Sequence, residues 1–202
     1  MAALRGEIAV SALRRPSRRL LLALAAVIVV AAAVMIIVLT ARPATPPLVH
    51  EYTKSPTAFS FRYPDGWMYQ IPQVGVLILA RPTTFQGVPG PSFTIHRSNT
   101  LAMEGSLEAA LDEYLRRGPL RPNREWALVQ AVTPTSFKGR QALTVEVQGS
   151  EFEGWPELRT RITALRAGVV TIYLFVQSAP VDQWESERPL LESILNSVEI
   201  YE

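Results

Sequence analysis

The chain has 202 residues, with 20 Lys and Arg, 18 Asp and Glu, two His and no Cys. The absence of cysteine excludes disulfides, thiolate metal sites and a cysteine nucleophile. Residues 55–202 hold 13 basic and 16 acidic side chains, a net charge of −3, so nucleic-acid binding lacks its main electrostatic support.

Residues 20–41 form a run of 22 residues without charge or proline. As a helix this run is about 33 Å long, enough to cross a hydrocarbon core of about 30 Å. Five arginines and a single glutamate precede it. Because basic residues stay on the cytoplasmic side, we expect residues 1–19 to be a basic cytoplasmic tail and residues 20–41 an uncleaved transmembrane helix. The prediction is a single-pass cell-membrane protein whose carboxyl-terminal domain is extracytoplasmic. The alternative is a cleaved signal peptide, whose apolar stretch is usually about 7–15 residues.

Residues 42–54 contain three prolines and predict a semi-extended linker between the membrane and the domain. His50 and Glu51 in this linker match the start of the metalloprotease pattern H-E-x-x-H. The position of the second histidine ligand holds Lys54, so we interpret the match as chance.

The remaining residues, 55–202, predict one domain that is rich in strands. Phe59, Phe61 and Tyr63 alternate with polar residues, as on a half-buried strand, and a turn at 64–66 follows. Apolar runs and alternating patterns predict further strands at 67–71, 74–80, 92–98, 125–133, 140–148, 158–167, 169–178 and 198–201. Tight turns are expected at 138–139 and 167–168.

Two helices are predicted in the same domain. Ser106 is a plausible N-cap for a helix that ends in Arg116 and Arg117, with Gly118 at the C′ position. A second helical segment is expected over residues 181–196. Pro189 predicts a break in it, with a first turn near 181–185 and the helix proper from about Ser186, so that Pro189 lies in the first turn of that helix. Since the strand connections are mostly too short for parallel crossovers, we predict an α+β fold with a largely antiparallel sheet flanked by helices.

Three segments resemble those of PsbP-type domains, a superfamily that also contains the yeast Ran-binding Mog protein and bacterial DcrB-like proteins. They are residues 59–67 (FSFRYPDGW), 137–142 (FKGRQA) and 191–198 (LESILNSV). The resemblance spans residues 55–202 and implies an α/β/α sandwich on an antiparallel sheet. The roles of the family are mainly binding and assembly, which implies a protein without catalytic activity. Its photosystem and GTPase partners are not expected here, and no functional residues are carried over.

Few residues of the domain form a pattern that is typical of a catalytic, metal or phosphate-binding site. His96 is the single histidine of the domain and alternates with Phe93 and Ile95; we expect it to lie solvated on a polar strand face. Glu151, Glu153 and Glu157 lack the spacing of a calcium loop, and no phosphate-binding loop is present. We therefore expect no metal and no cofactor. Catalytic carboxylate pairs leave no spacing signature, so a carboxylate-based extracytoplasmic hydrolase stays the alternative.

Two stretches are candidate partner-binding sites. Phe152 and Trp155 lie among acidic residues at 151–157, where exposed aromatics can anchor a partner; the alternative is that they cover a sheet edge. Arg159 and Arg161 form an arginine stripe on a predicted strand, which solvation of that face or shielding of an edge also explains. The expected function is a binding or assembly module for a protein or envelope component.

Overall fold

The computed structural model describes residues 45–53, 58–120, 125–151 and 153–201. The predicted cytoplasmic tail and transmembrane helix, residues 1–19 and 20–41, lie outside this part of the chain. Within it, no helix combines the length and the apolar composition that a membrane crossing requires.

Ten strands in the described residues form two antiparallel sheets. The strands are β1 Leu48–Thr53, β2 Phe59–Pro64, β3 Met68–Gln73, β4 Val76–Ala80, β5 Ser92–Ser98, β6 Trp126–Phe137, β7 Arg140–Gly149, β8 Leu158–Ala167, β9 Thr171–Pro180 and β10 Glu199–Ile200. Seven of them pair in the order β3-β4-β5-β9-β8-β7-β6, and three pair in the order β1-β2-β10. The predicted α+β class with a largely antiparallel sheet is confirmed.

Helices of the described residues lie between and after these strands. They are α1 Pro82–Phe85, a 3₁₀ helix at Leu101–Glu104, α2 Leu107–Arg117 and α3 Trp184–Ser197. Helix α2 begins as predicted, because Ser106 Oγ accepts a hydrogen bond from the Ala109 N–H at 3.0 Å. Gly118 follows α2 with a φ of −107°, so it does not adopt the left-handed conformation that we expected at C′.

Helix α3 is continuous where a break near residue 186 was predicted. It starts at Trp184, and Pro189 lies inside it and not in its first turn. Proline removes one helical hydrogen bond, but Trp184, Leu190 and Leu191 are at most 3% exposed. Burial of this apolar face stabilises the helix despite the proline.

Strand β1 is a correction to the predicted linker over residues 42–54. Its residues pair with β2, with Tyr52 opposite Phe61. The Tyr52 ring stacks on the Phe61 ring at a centroid distance of 5.1 Å, and Tyr52 is 3% exposed. Packing against β2 therefore draws the end of the predicted linker into the domain.

The seven-stranded sheet carries a separate apolar core on each face. On one face, Ile162 and Leu174 pack with Leu111 of α2. On the other face, Phe175 packs with Phe61 of the small sheet and with residues of α3. We call this second side the α3 face. The structure thus differs from the predicted α/β/α sandwich, because the α3 face is covered by the small sheet as well as by helix α3.

Two turns illustrate how local chemistry sets strand connections. Lys138 and Gly139 have φ values of 49° and 79°, which is the left-handed pair that a two-residue hairpin requires, and the predicted tight turn is confirmed. The β8–β9 connection is longer than the turn predicted at 167–168. Ala167 pairs with Thr171, which leaves a three-residue turn at 168–170.

Candidate functional site

A polar cleft of about 270 Å³ lies on the α3 face of the large sheet, between strands β6–β9 and helix α3. Its charged members are Arg161 and Glu192, and its apolar members are Phe137 and Leu195. Seven further lining side chains carry a hydroxyl or an amide: Gln130, Thr135, Ser136, Thr144, Thr163, Gln177 and Asn196. The cleft is therefore the candidate functional site.

Strand alternation builds the floor of this cleft. Side chains at alternate positions share one face of a sheet, and the strand register places Arg161 opposite Gln177 and Thr163 opposite Phe175. Thr163 is in turn opposite Thr144 on β7. The α3 face is thus apolar around Phe175 and becomes polar two residues further along the same strands.

A buried carboxylate organises the sheet beside the cleft. Glu146 on β7 is 2% exposed and lies opposite Arg161 on β8. Arg161 Nε donates to Glu146 Oε1 at 2.8 Å, and Arg161 Nη2 lies 2.6 Å from the same oxygen in the ion pair. Arg159 donates to Oε2 from Nε at 2.9 Å and from Nη2 at 2.6 Å. Three charge-assisted hydrogen bonds and one further ion-pair contact thus hold both arginines in place.

The protonation state of Glu146 follows from this geometry. Burial alone would raise the pKa of the carboxyl, but the hydrogen bonds and charges of Arg159 and Arg161 outweigh burial and lower its pKa. Glu146 is therefore an ionised acceptor at neutral pH. A hydrolase that uses a carboxyl as its proton donor needs the opposite shift, and Glu146 does not have it.

Helix α3 covers the arginines and completes the cleft. Arg161 Nη1 donates to Glu192 Oε1 at 2.8 Å. The guanidinium carbons of Arg159 and Arg161 lie 5.7 and 5.9 Å from the ring centroid of Trp184, within the range of cation–π attraction. The positive charge of Arg161 is therefore balanced by two carboxylates before any ligand enters.

The floor of the cleft holds polar atoms that have no partner. Gln177 is 0% exposed, and neither its Oε1 nor its Nε2 is hydrogen-bonded within the described chain. Thr144 Oγ1, on the same floor, is also buried without a partner. Buried polar groups are nearly always satisfied by protein or water. Three such atoms therefore lie unsatisfied at the floor of the cleft, covered by their neighbours.

The two arginines predicted from sequence lie at and beside this cleft. Arg161 lines it, and Arg159 is bound to the same Glu146. Strand β8 lies between β9 and β7, so shielding of a sheet edge, one of the two explanations expected for this stripe, is wrong. The side chains are also not fully solvated, since they are 23% and 29% exposed.

Trp155, the aromatic candidate that the structure describes, does not line the cleft. Trp155 lies in the loop between β7 and β8, is 39% exposed, and its carbonyl accepts a hydrogen bond from Ser150 Oγ at 3.2 Å. Phe152 lies outside the described residues. Glu157 accepts a hydrogen bond from Gln148 Nε2 at 2.7 Å. In the part of the chain that the structure describes, no three acidic or histidine side chains could hold a metal ion.

From the sequence we expected His96 to lie solvated on a polar strand face. The structure does not place it there. Its pairing with Leu174 places it on the α2 side of the sheet, where its ring meets Tyr114 edge-on at 5.4 Å. Burial lowers the pKa of His96. Burial, together with the charge of Glu151, raises the pKa of Tyr114 to about 12. His96 is therefore partly covered and lies on the opposite side of the sheet from the cleft.

The groups that distinguish the cleft were not predicted from the sequence: Glu146, Gln177 and Thr144. One signal was available for Gln177. It follows Tyr173 and Phe175 at two-residue steps, so it shares the face of two aromatic residues that any prediction would bury. A polar residue in phase with core residues is a candidate for a functional role.

The fold is that of PsbP and Mog1p. A cyanobacterial PsbP (CyanoP) from Synechocystis is similar with a TM-score of 0.54 and 15% identity, covering 79% of this chain and 96% of that chain. The Ran-binding protein Mog1p of Saccharomyces cerevisiae is similar with a TM-score of 0.51 and 13% identity, covering 76% and 96%. A protein of Bacteroides thetaiotaomicron has a TM-score of 0.51 and 11% identity, covering 77% and 50%.

No protein-family model matches the chain, and no curated protein matches it in sequence. The likeness is therefore one of fold. It confirms the PsbP/Mog-like fold that the three sequence segments imply.

Proposed function

We propose that the protein is a single-pass membrane protein that holds a PsbP/Mog-like domain outside the cytoplasm, where the polar cleft binds an envelope component or a protein without chemical change. The apolar run at 20–41 and the arginines before it support the anchor and its orientation. A structural neighbour, Mog1p, is named as a Ran-binding protein, and binding without catalysis is the role proposed here.

The observation that carries the binding role is Gln177. Its amide is fully buried at the floor of an open cleft and both of its polar atoms lack a partner. Leaving such groups unmet costs about 1–3 kcal/mol each. A ligand that displaces the groups covering this amide and pairs with it would recover this cost.

The predicted orientation can be tested by cysteine labelling, because the natural chain contains no cysteine. Val169→Cys places a thiol on a turn residue that is 85% exposed, and Ser17→Cys places one in the predicted cytoplasmic tail. A membrane-impermeant maleimide should label the first variant in intact spheroplasts and the second only after lysis. The reverse pattern would exclude the proposed topology.

The cleft can be tested by photo-crosslinking in the same cells. A photoreactive residue in place of Asn196, an exposed residue of the cleft rim, should form a discrete adduct. The adduct should disappear in the variant that also carries Gln177→Met. A matched probe at Gln70 should not form this adduct. Gln70 is exposed on strand β3, at the opposite edge of the sheet from β6. An adduct from Asn196 that is insensitive to Gln177→Met would remove the cleft from the proposal.

A further inference from the structure

We propose that strand β6 is a self-association surface, on which a second copy of this chain pairs its own β6 in antiparallel orientation. The inference goes beyond the proposed function and does not depend on it, because it concerns the edge of the large sheet and not the ligand of the cleft.

Strand β6 is an edge of the large sheet that lacks the usual protection. Among the described residues it pairs with β7 alone. It has 12 residues, and ten in succession, 127–136, are exposed. Natural edge strands are usually short or carry charged side chains that discourage further pairing. No residue of β6 is charged, so neither its length nor its charge prevents another strand from pairing with it.

The middle of β6 has backbone groups that β7 does not engage. The register between the two strands skips Val129, Ala131 and Val132, and extra residues of this kind leave part of a ladder unpaired. The Ala131 carbonyl accepts a hydrogen bond from Thr133 Oγ1 at 3.0 Å and keeps a second lone pair. A row of N–H and C=O groups at the spacing of a strand is matched by the backbone of another strand. The partner of this edge is therefore a polypeptide.

The side chains of this edge favour an identical strand as the partner. Residues 127–133 (ALVQAVT) combine high β propensity with no charge, no proline and no glycine, which is the composition of segments that pair with their own copies. Leu128, Val129 and Val132 are 54%, 44% and 44% exposed. Pairing with a second copy would cover part of this apolar surface.

The charges that flank β6 select the antiparallel orientation. Glu125 directly precedes the strand and Lys138 directly follows it. Lys138 pairs with Glu199 but keeps 35% of its side-chain surface exposed. An antiparallel copy brings Glu125 of each chain toward Lys138 of the other, whereas a parallel copy would bring like charges together. The ends of the strand are thus complementary to the ends of its antiparallel copy.

Full overlap of two such strands supplies the hydrogen bonds of an ordinary interface. An antiparallel pair makes on average one backbone bond per residue, and Pro134 lacks an N–H in each copy. The pair therefore makes about ten hydrogen bonds, which is the number that a typical protein interface carries.

Pairing through β6 ends at two copies. A two-fold axis uses the β6 edge of both chains, so neither copy keeps that edge free. The other edge of the large sheet is β3, which has six residues and contains Pro72. Proline supplies no donor to a ladder, so β3 does not continue the sheet into a fibre.

The first test uses single cysteines, because the natural chain has none. The full chain in detergent micelles, with one cysteine at a time along 127–136, is oxidised with copper phenanthroline, and the disulfide-linked dimer is measured by non-reducing electrophoresis. Next to a two-fold axis, the same residue of both copies lies about 4.5–5.5 Å away between Cα atoms, which a disulfide can bridge. The yield should therefore be highest at Ala131→Cys or Val132→Cys, in the middle of the strand, and fall toward both ends. Gln70→Cys on β3 is the matched control and should give little dimer.

The second test places a charge on the edge. Val132→Lys brings two like charges together near the axis, so the dissociation constant of the dimer, measured by sedimentation equilibrium in the same micelles, should rise about tenfold or more. Val132→Thr keeps a β-branched side chain without charge and should leave the dissociation constant nearly unchanged. Val132 is exposed and has no partner on β7, so both variants should unfold at the urea midpoint of the natural chain.

Three outcomes overturn the inference. Equal disulfide yields along β6 and at Gln70→Cys would mean that the copies meet by collision only. A dimer that Val132→Lys does not weaken would be held by another part of the chain. A photoreactive residue at Val132 that captures a chain of different mass in cells, with no disulfide dimer from any β6 position, would assign the edge to another polypeptide.

Discussion

Glu146→Gln should lower the free energy of unfolding by about 3 kcal/mol. Removing one partner of a buried ion pair typically costs about 3–5 kcal/mol, because a charge is left buried and unpaired. Glu146 is 2% exposed, whereas Arg159 and Arg161 keep 29% and 23% of their side-chain surface exposed. Water can therefore solvate part of the released charge, which places the expected loss at the lower end of that range.

The loss can be measured by urea unfolding of the full chain, followed by tryptophan fluorescence. The Trp184 ring lies 5.7 and 5.9 Å from the guanidinium carbons of the two arginines and reports on this region. Glu153→Gln, in the exposed turn between β7 and β8, is the matched control and should change the free energy of unfolding by less than about 0.5 kcal/mol. If Glu146→Gln lowers the free energy of unfolding by no more than Glu153→Gln does, the ion pair does not stabilise the fold.

A second substitution tests the cause of the loss. If Glu146→Gln destabilises because Arg161 is left without its carboxylate, then adding Arg161→Met should recover part of the lost free energy. Strictly additive losses would contradict this explanation. Such additivity would assign the effect of Glu146→Gln to packing alone.

The same pair predicts a pH dependence. The folded-state pKa of Glu146 lies below its ordinary value, which is about 4.3 in an unfolded chain. Its contribution to stability is therefore complete above that pH and is lost as the pH falls through the folded-state pKa. The difference in unfolding free energy between wild type and Glu146→Gln should stay constant near neutral pH and shrink in acid. A difference that grows in acid would refute the assigned shift.

Two further predictions concern local structure. Ser106→Ala should lower the unfolding free energy by about 1 kcal/mol, because the Ala109 N–H loses its cap; an unchanged urea midpoint would contradict this. Gly75→Ala should destabilise more than Gly66→Ala. Both glycines have left-handed φ values, +82° and +75°, which cost alanine about 1–2 kcal/mol, but a Cβ at Gly75 would lie 2.5 Å from the carbonyl oxygen of Arg97, whereas nothing lies within 4 Å at Gly66. Equal losses for the two would exclude this clash.

The elements that sequence could predict are those with a local chemical cause. Ser106 caps α2 because its hydroxyl reaches an amide three residues later. Lys138 and Gly139 form a two-residue turn because both can adopt a positive φ. The strand at 92–98 has the predicted bounds. In each case, the cause lies within a few residues of the effect.

The elements that sequence could not predict depend on distant partners. The strand Leu48–Thr53 has few local signals, and it forms because Tyr52 packs on Phe61. Pro189 argues against a continuous helix at that point, yet Trp184 and Leu191 are buried on both sides of it. Tertiary burial overrides local propensity at both sites. The division of the strands into two sheets has the same origin.

The candidate site depends both on a local sequence pattern and on residues that are distant in the chain. Alternation along β8 correctly places Arg159 and Arg161 on one face of the strand. The pattern along β8 alone is compatible with a solvated face, because Glu146, which lies opposite Arg161, belongs to β7. Gln177 is different, because its place in phase with Tyr173 and Phe175 is visible in the chain itself. An unpartnered amide at such a position destabilises the fold unless something pairs with it. Since an apolar residue would pack there at no such cost, the packing of the core does not explain the glutamine, and the proposed binding role of the cleft depends on it.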